Sequence, residues 1–183
     1  MPDNQQDVID FLSEPSSYGA AVERVDTIET HASLVFLAGD RAYKLKRAVK
    51  YPYLDFSTAQ QRREACETEL ALNRRTAPAL YRKVRRLVRA PDGSVGFAGD
   101  GLAIDWLVVM RRFDQPSLFD ALAQTGGLSA PLMNALAAHI AEFHAIAERR
   151  FDCGGAEALT AIVETNDRCL AAAQDAGFAG GMC

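Results

Sequence analysis

The chain has 183 residues, of which 49% are hydrophobic, and its formal net charge at pH 7 is −4. These values predict a globular protein with a sizeable buried core. They argue against a protein that coats nucleic acid or an anionic membrane, because both tasks need a net basic surface.

The first ten residues are polar and acidic, and they lack the basic and apolar regions of a secretory signal. No apolar run approaches the ~20 residues that a membrane-spanning helix needs. We therefore expect a cytoplasmic protein with no membrane partner. Within residues 7–14, Val8, Phe11 and Leu12 recur at helical spacing, which predicts a short packing helix that ends before Pro15.

Two short strands and a long helix are predicted next. Leu34–Leu37 and Ala42–Arg47 are strand-like and are separated by a Gly-Asp turn, which is typical of a β-hairpin. After the cap residues Ser57 and Thr58, the run Ala59–Arg75 is rich in helix formers and ends before Pro78.

The second half of the chain changes from strands to helices. Strands are predicted at Leu80–Val88 and Ala103–Met110, separated by the turn sequence Ala90–Gly93. Ser117 is expected to cap a helix at Leu118–Gln124, and Ser129 with Pro131 to begin the next helix. That second helix carries an apolar stripe expected to be buried, formed by Leu132, Leu136, Ile140, Phe143 and Ile146. A further helix is predicted at Glu157–Gln174, followed by a glycine-rich tail at 176–183.

The four cysteines are scattered, at positions 66, 153, 169 and 183. None forms a Cys-x-x-Cys pair or has a histidine at metal-ligand spacing. Free thiols and no metal site are the expectation.

Chemistry is indicated by the strand Ala42-Tyr43-Lys44. Side chains alternate along a strand, so Ala42 and Lys44 share a face, as the small residue and the lysine do in the Val-Ala-Ile-Lys strand of kinases. The small side chain leaves space for adenine, and the ammonium reaches phosphates and a helix carboxylate. Lys46 lies on the same face and is a substitute if the register shifts by two.

The long helix offers Glu64, Glu67 and Glu69 as partners for the lysine. Glu69 is the first choice because it borders Leu70 and Leu72, and Glu67 remains an alternative. Glu64 adjoins Arg62 and Arg63, which indicate a solvated face.

Several separated segments resemble the aminoglycoside-phosphotransferase-like family, and more narrowly the branch often fused to a P-loop ATP-binding domain. They span roughly residues 20–150 and comprise 29–46, Leu54–Ser57, Cys66–Arg75 with Tyr81, the hinge-like segment Val108–Phe113, and 137–145. The resemblance implies an α+β fold: a protein-kinase-like amino-terminal lobe, residues 1–113 with the leading helix, and the helical start of a carboxy-terminal lobe, 114–183.

The resemblance also implies ATP-dependent transfer of phosphate to a small-molecule hydroxyl. Lys44 would contact the phosphates, Glu69 would orient Lys44, and Ala42 would border the adenine, which backbone near Met110 and Arg111 would hold. ATP and Mg²⁺ are the expected cofactors, and the acceptor is undetermined. A P-loop domain, fused or separate, is the expected protein partner.

Two departures from the family pattern bear on activity. The first turn carries His31-Ala32-Ser33 where kinases have a glycine-rich phosphate loop, so phosphate contact would come from backbone amides and Ser33. The His-Gly-Asp catalytic loop, its downstream asparagine and the metal-binding aspartate are absent from the sequence. We expect the chain to bind nucleotide without turnover by itself, as a fragment or shortened product.

Two other functions are compatible with parts of the sequence. A kinase-like domain without catalytic residues could act as an interaction or regulatory module. The basic residues between Arg74 and Arg89 could contact RNA, but alternating arginines on a strand more often form a solvated face, and we expect no nucleic-acid partner.

Overall fold

The computed structural model describes residues 4–149, 151–152 and 154–175, with side chains up to residue 171. The chain forms two compact units, Met1–Leu128 and Ser129–Cys183. This division falls later than the lobe boundary expected after residue 113, because the short helix near residue 120 lies in the first unit. The predicted tail at 176–183 lies outside the described residues, as do Cys153 and Cys183.

The first unit is an α+β structure, as predicted. Its helices are α1 (Gln6–Ser13), α2 (Ala59–Asn73) and α3 (Phe119–Gln124), with 3-10 turns at Pro15–Tyr18 and Gln115–Ser117. Its strands are β1 (Val25–Glu29), β2 (Ser33–Ala38), β3 (Arg41–Lys46), β4 (Lys50–Tyr51), β5 (Leu54–Asp55), β6 (Tyr81–Arg89), β7 (Val95–Gly96) and β8 (Leu102–Arg111).

Six of these strands form one antiparallel sheet in the order β1-β2-β3-β8-β6-β7, and β4 pairs with β5 separately. The predicted hairpin is β2 and β3, joined by a turn in which Gly39 has a φ of 57°. That backbone conformation strains any residue with a Cβ, so glycine suits the turn. Long-range pairing places β3 beside β8, with Lys44 opposite Val108.

The core occupies both faces of this sheet. On one face, Val8 and Leu12 of α1 pack with Phe36, Leu45 and Leu107. On the other, Cys66 of α2 packs with Leu37, Ala42, Val108 and Met110. Alternation along each strand therefore sends one set of side chains toward α1 and the other toward α2.

Helix α2 begins with a capping box. The Thr58 side chain accepts a hydrogen bond from the Gln61 amide, and the Gln61 side chain accepts one from the Thr58 amide. This reciprocal arrangement satisfies amides that would otherwise lack partners in the first turn. The start of the helix therefore agrees with the sequence prediction.

The prediction that Ser117 caps the next helix was wrong. Residues Gln115–Ser117 form a 3-10 turn, and the Ser117 hydroxyl donates to the Asp114 carbonyl. Helix α3 begins two residues later, with Leu118 at its cap position. The serine therefore closes the 3-10 turn on its amino-terminal side, and no side chain of the described residues caps α3.

The second unit contains α4 (Ala130–Ile146) and α5 (Gly155–Asp175). Ser129 caps α4 as predicted, because its side chain accepts from the Leu132 amide. The expected buried stripe is not buried: Ile140 is 44% exposed and Ile146 79% exposed. The described residues of this unit form only two helices, with no sheet to cover the stripe. Among all described helices, none is both long and apolar enough to cross a membrane.

Candidate functional site

A cleft of about 620 Å³ opens on the α2 side of the sheet, and we call it the Lys44 cleft. Its apolar wall includes Val35, Leu37, Ala42 and Met110, and the ammonium-bearing side chain of Lys44 also lines it. The rim is formed by two groups: the β1–β2 turn, and the residues after β8, which are Arg112, Phe113 and Gln115. An apolar slot with one ammonium group suits a flat apolar ring joined to an anion.

Glu69 lies between two lysines. Lys44 Nζ donates to Glu69 Oε1 at 2.9 Å, and Lys46 Nζ donates to Glu69 Oε2 at 2.6 Å. The sequence predicted the first contact and treated Lys46 as a substitute for Lys44. In the structure both lysines share the carboxylate, and only Lys44 lines the cleft. Glu67, the alternative partner, pairs instead with exposed Arg63.

The surroundings of Glu69 have opposing effects on its pKa. Burial raises the pKa of this carboxyl, but the hydrogen bonds from Lys46 and Lys44 outweigh burial and lower it below its usual value. Burial and the charge of Glu69 raise the pKa of Tyr81, which also lines the cleft. The cluster of Lys44, Glu69 and Lys46 therefore carries a net charge of about +1 at neutral pH.

Of the two residues whose backbone was expected to hold adenine, only Met110 lines the Lys44 cleft. Met110 lines both the Lys44 cleft and a neighbouring polar depression, whereas Arg111 lines only that depression, together with Asp40 and Arg82. The Arg111 amide donates to the Leu80 carbonyl, so it is unavailable to a ligand.

Unoccupied backbone groups lie just after β8. The Arg112 amide donates to the Asp40 carbonyl at 2.8 Å. Within the part of the chain that the structure describes, neither the amide nor the carbonyl of Phe113 has a hydrogen-bond partner. Phe113 lines the cleft, so the backbone groups available to a ligand there are the amide and carbonyl of Phe113 rather than those of Arg111.

The β1–β2 turn presents amides at the other end of the cleft. The Ser33 amide donates to Thr30 Oγ1 at 3.0 Å, which removes it as a donor for a ligand. The amides of His31 and Ala32 donate to no protein group among the described residues. Both residues line the cleft, so these two amides can face an anion.

A buried ionic network that the sequence did not predict holds α2 on the sheet. Arg62 Nε donates to Asp105 Oδ1 at 2.9 Å, and both side chains are 1% exposed. Gln5 Nε2 donates to Asp105 Oδ2 and to the Lys46 carbonyl. The expectation that Arg62 lies on a solvated face was wrong, because this face of α2 packs on β8.

The inward residues of α2 share one face of the helix. Arg62, Cys66 and Glu69 recur at helical spacing and are all turned toward the sheet. Leu72, whose apolar character supported the choice of Glu69, is 56% exposed. Glu69 is therefore positioned by a polar face of α2 rather than by an apolar one. The sequence feature that could have revealed this polar face is Asp105, a lone carboxylate in an apolar strand, because a buried carboxylate needs a cationic partner.

No group of three or more histidine, cysteine, aspartate or glutamate side chains able to hold a metal occurs within the described residues. The free cysteines described are Cys66, which is buried, and Cys169, which is exposed. Burial raises the pKa of the Cys66 thiol to about 12. Cys66 is therefore neutral at physiological pH and contributes to packing.

Three curated mycobacterial proteins are similar to the chain, one from Mycobacterium bovis and two from Mycobacterium tuberculosis. Each is described as an uncharacterized protein and is 37% identical over 125 residues. The match covers 68% of this chain and 23% of each relative, so the chain spans about a quarter of the length of these proteins. No family model matches the chain, and no solved structure matches it.

Proposed function

We propose that the Lys44 cleft binds the adenine nucleotide of a small-molecule phosphotransferase, and that the first unit is a protein-kinase-like amino-terminal lobe of the aminoglycoside-phosphotransferase type. The observation that carries the proposal is the Lys44–Glu69 ion pair at 2.9 Å beside an apolar cleft. In kinase-like enzymes a strand lysine paired with a helix glutamate holds the nucleotide phosphates.

The cleft offers a suitable group for each part of the nucleotide. Ala42, Leu37 and Met110 supply apolar surface for the adenine ring, and Phe113 supplies a backbone edge for its hydrogen bonds. Lys44 and the amides of His31 and Ala32 supply donors for the phosphates. ATP delivers the phosphoryl group when bound.

The chemical step would need groups that this sequence lacks. A carboxylate must position the acceptor hydroxyl, and carboxylates or amides must hold Mg²⁺. The proposal therefore assigns nucleotide binding to this chain. Binding of the metal, the catalytic base and binding of the acceptor are assigned to other residues of a longer protein or to a partner domain.

The test is a titration of the ¹⁵N-labelled chain with ADP, in which the backbone amide signals are monitored by NMR. We expect saturable shifts at Phe113 and the β1–β2 turn, with a Kd of about 10 µM to 1 mM. The affinity should be modest because the first unit alone provides all the contacts with ADP. Lys44→Met should weaken binding by about tenfold or more, because a charge-assisted contact with the phosphates is lost.

Lys50→Met is the matched control for that substitution. Lys50 is 69% exposed, lies on β4 and pairs with Asp55 outside the cleft. Its replacement should leave ADP affinity unchanged within about twofold. The proposal fails if the wild-type chain shows no saturable shifts at millimolar ADP, or if Lys44→Met and Lys50→Met bind ADP equally well.

A further inference from the structure

Lys46 differs from Lys44 in three structural respects. The Lys46 side chain is 7% exposed, against 28% for Lys44. Its ammonium lies 5.0 Å from the centre of the Phe56 ring, a distance at which a cation is attracted to an aromatic face. Lys46 does not line the cleft, although its ammonium reaches the same carboxylate. It is therefore placed to hold Glu69 and not to touch a ligand.

This arrangement assigns different tasks to the two lysines. With one lysine, a bound phosphate and Glu69 would compete for the same ammonium group. A buried carboxylate that loses its only cation is strongly destabilised. Because Lys46 occupies Oε2 independently, Lys44 can turn its remaining donors toward phosphate while Glu69 keeps a cation partner.

We infer that Lys46 is the positioning residue of the Lys44 cleft: it holds Glu69 in place whether or not nucleotide is bound, and thereby leaves Lys44 available to the phosphates. This inference rests on the proposed nucleotide function of the cleft. Its structural half, the hold on Glu69, is independent of any ligand.

The network behind Lys46 supports a fixed position. The Lys46 carbonyl accepts from Gln5 Nε2, and Gln5 Oε1 accepts from the Ala48 amide at 2.6 Å. Gln5 also binds Asp105, the partner of Arg62 on α2. The end of β3 that carries Lys46 is thus tied to β8, and through β8 to the helix that carries Glu69.

The first experiment needs no nucleotide. The carboxyl ¹³C signal of Glu69 is followed through acidification in the wild-type chain, in Lys46→Met and in Lys46→Arg. We expect Lys46→Met to raise the pKa of Glu69, because only Lys44 would then remain to lower this pKa against the effect of burial. Lys46→Arg, which keeps the charge, should restore a value close to that of the wild type. An unchanged Glu69 titration in Lys46→Met overturns the inference.

The second experiment separates positioning from general damage to the fold. We expect Lys46→Met to weaken ADP binding by about 5- to 10-fold, because Lys44 must then serve both Glu69 and the phosphates. Adenosine, which has no phosphates, should bind within about twofold of wild type. Equal losses for ADP and adenosine overturn the inference in favour of a structural role. If Lys46→Met does not fold, Lys46→Gln replaces it in both experiments.

The outcomes for the two proposals are distinguishable. Failure of the wild-type chain to bind ADP contradicts the nucleotide function, while the Glu69 titration still decides whether Lys46 holds Glu69. Normal ADP binding by Lys46→Met, with Lys44→Met impaired, keeps the nucleotide function and contradicts the role of Lys46.

Discussion

Arg62 and Asp105 form an ion pair that has almost no contact with water. The two side chains meet at 2.9 Å, and Arg62 also donates to the Phe56 carbonyl. Removing two charges from water is costly, and their attraction offsets that cost only when the remaining polar groups are hydrogen-bonded. Gln5 and Phe56 provide those additional bonds, which makes the pair depend on all its neighbours.

Asp105→Asn should therefore destabilise the fold strongly. The amide keeps the shape of the carboxylate but leaves the Arg62 charge buried without an anion, which costs about 3–5 kcal/mol. The free energy of unfolding, measured by urea denaturation, should fall by that amount. Glu67→Gln is the control, because it breaks the exposed Arg63–Glu67 pair and should cost less than about 1 kcal/mol. Equal effects of the two substitutions would show that the Arg62–Asp105 pair contributes no more than a surface pair.

At the residue level, the predicted contact between Lys44 and Glu69 is present in the structure, whereas the expected solvated position of Arg62 was wrong, and both outcomes have a common physical reason. Alternation along a strand depends only on backbone geometry, so Ala42 and Lys44 could be placed on one face without knowing the fold. The inward face of α2 is polar, so hydrophobic periodicity gave no information about it. Its orientation depends on the pairing of Arg62 with Asp105, which lies 43 residues away in the chain.

At the level of elements, the sequence predicted β2, β3, β6 and β8 and helices α1 and α2, because turns and prolines mark their ends. The short strands β1, β4, β5 and β7 were not predicted. The pairing of β3 with β8 could not be predicted, since nothing local indicates which distant strands meet. The apolar stripe on α4 was predicted with the right helical spacing, but the prediction that it is buried was wrong. Spacing is a property of the helix, whereas burial depends on what packs against it.

The junction of β6 and β8 contains a close approach that requires glycine. A Cβ added at Gly101 would lie 2.2 Å from the Arg89 carbonyl oxygen, so the backbone would have to shift. Gly101→Ala should destabilise the fold by about 1–3 kcal/mol, measured by thermal or urea unfolding. Gly96→Ala is the control, because its Cβ would meet the nearest atom at an ordinary 3.5 Å. If Gly101→Ala and Gly96→Ala lower the free energy of unfolding equally, the close approach at Gly101 does not require glycine.

At the scale of the whole molecule, the buried core belongs to the first unit alone. Among the described residues, the buried side chains all lie between Gln5 and Met110, and α4 contributes none. The Lys44 cleft is also lined entirely by residues of the first unit. Stability and the proposed nucleotide binding should therefore both reside there.

A chain ending at residue 128 should fold cooperatively, with a thermal midpoint within a few degrees of the full chain and the same ADP shifts. Removal of residues 1–13 is the contrasting variant, since it removes Val8 and Leu12 from the core. Losing two buried side chains of this size costs several kcal/mol, so that variant should unfold at a much lower temperature. Loss of cooperative unfolding in the chain ending at residue 128 would contradict a self-sufficient first unit.

The position of β8 has a consequence for how the protein is made. This strand lies between β3 and β6, yet it is the last strand of the sheet to be synthesised. At about 5–20 residues per second, the hairpin of β2 and β3 waits roughly 3–13 s for β8 to leave the ribosome. During that interval the open edge of β3 can pair with other chains. Arg62 also emerges before Asp105, and it stays in water until β8 is complete.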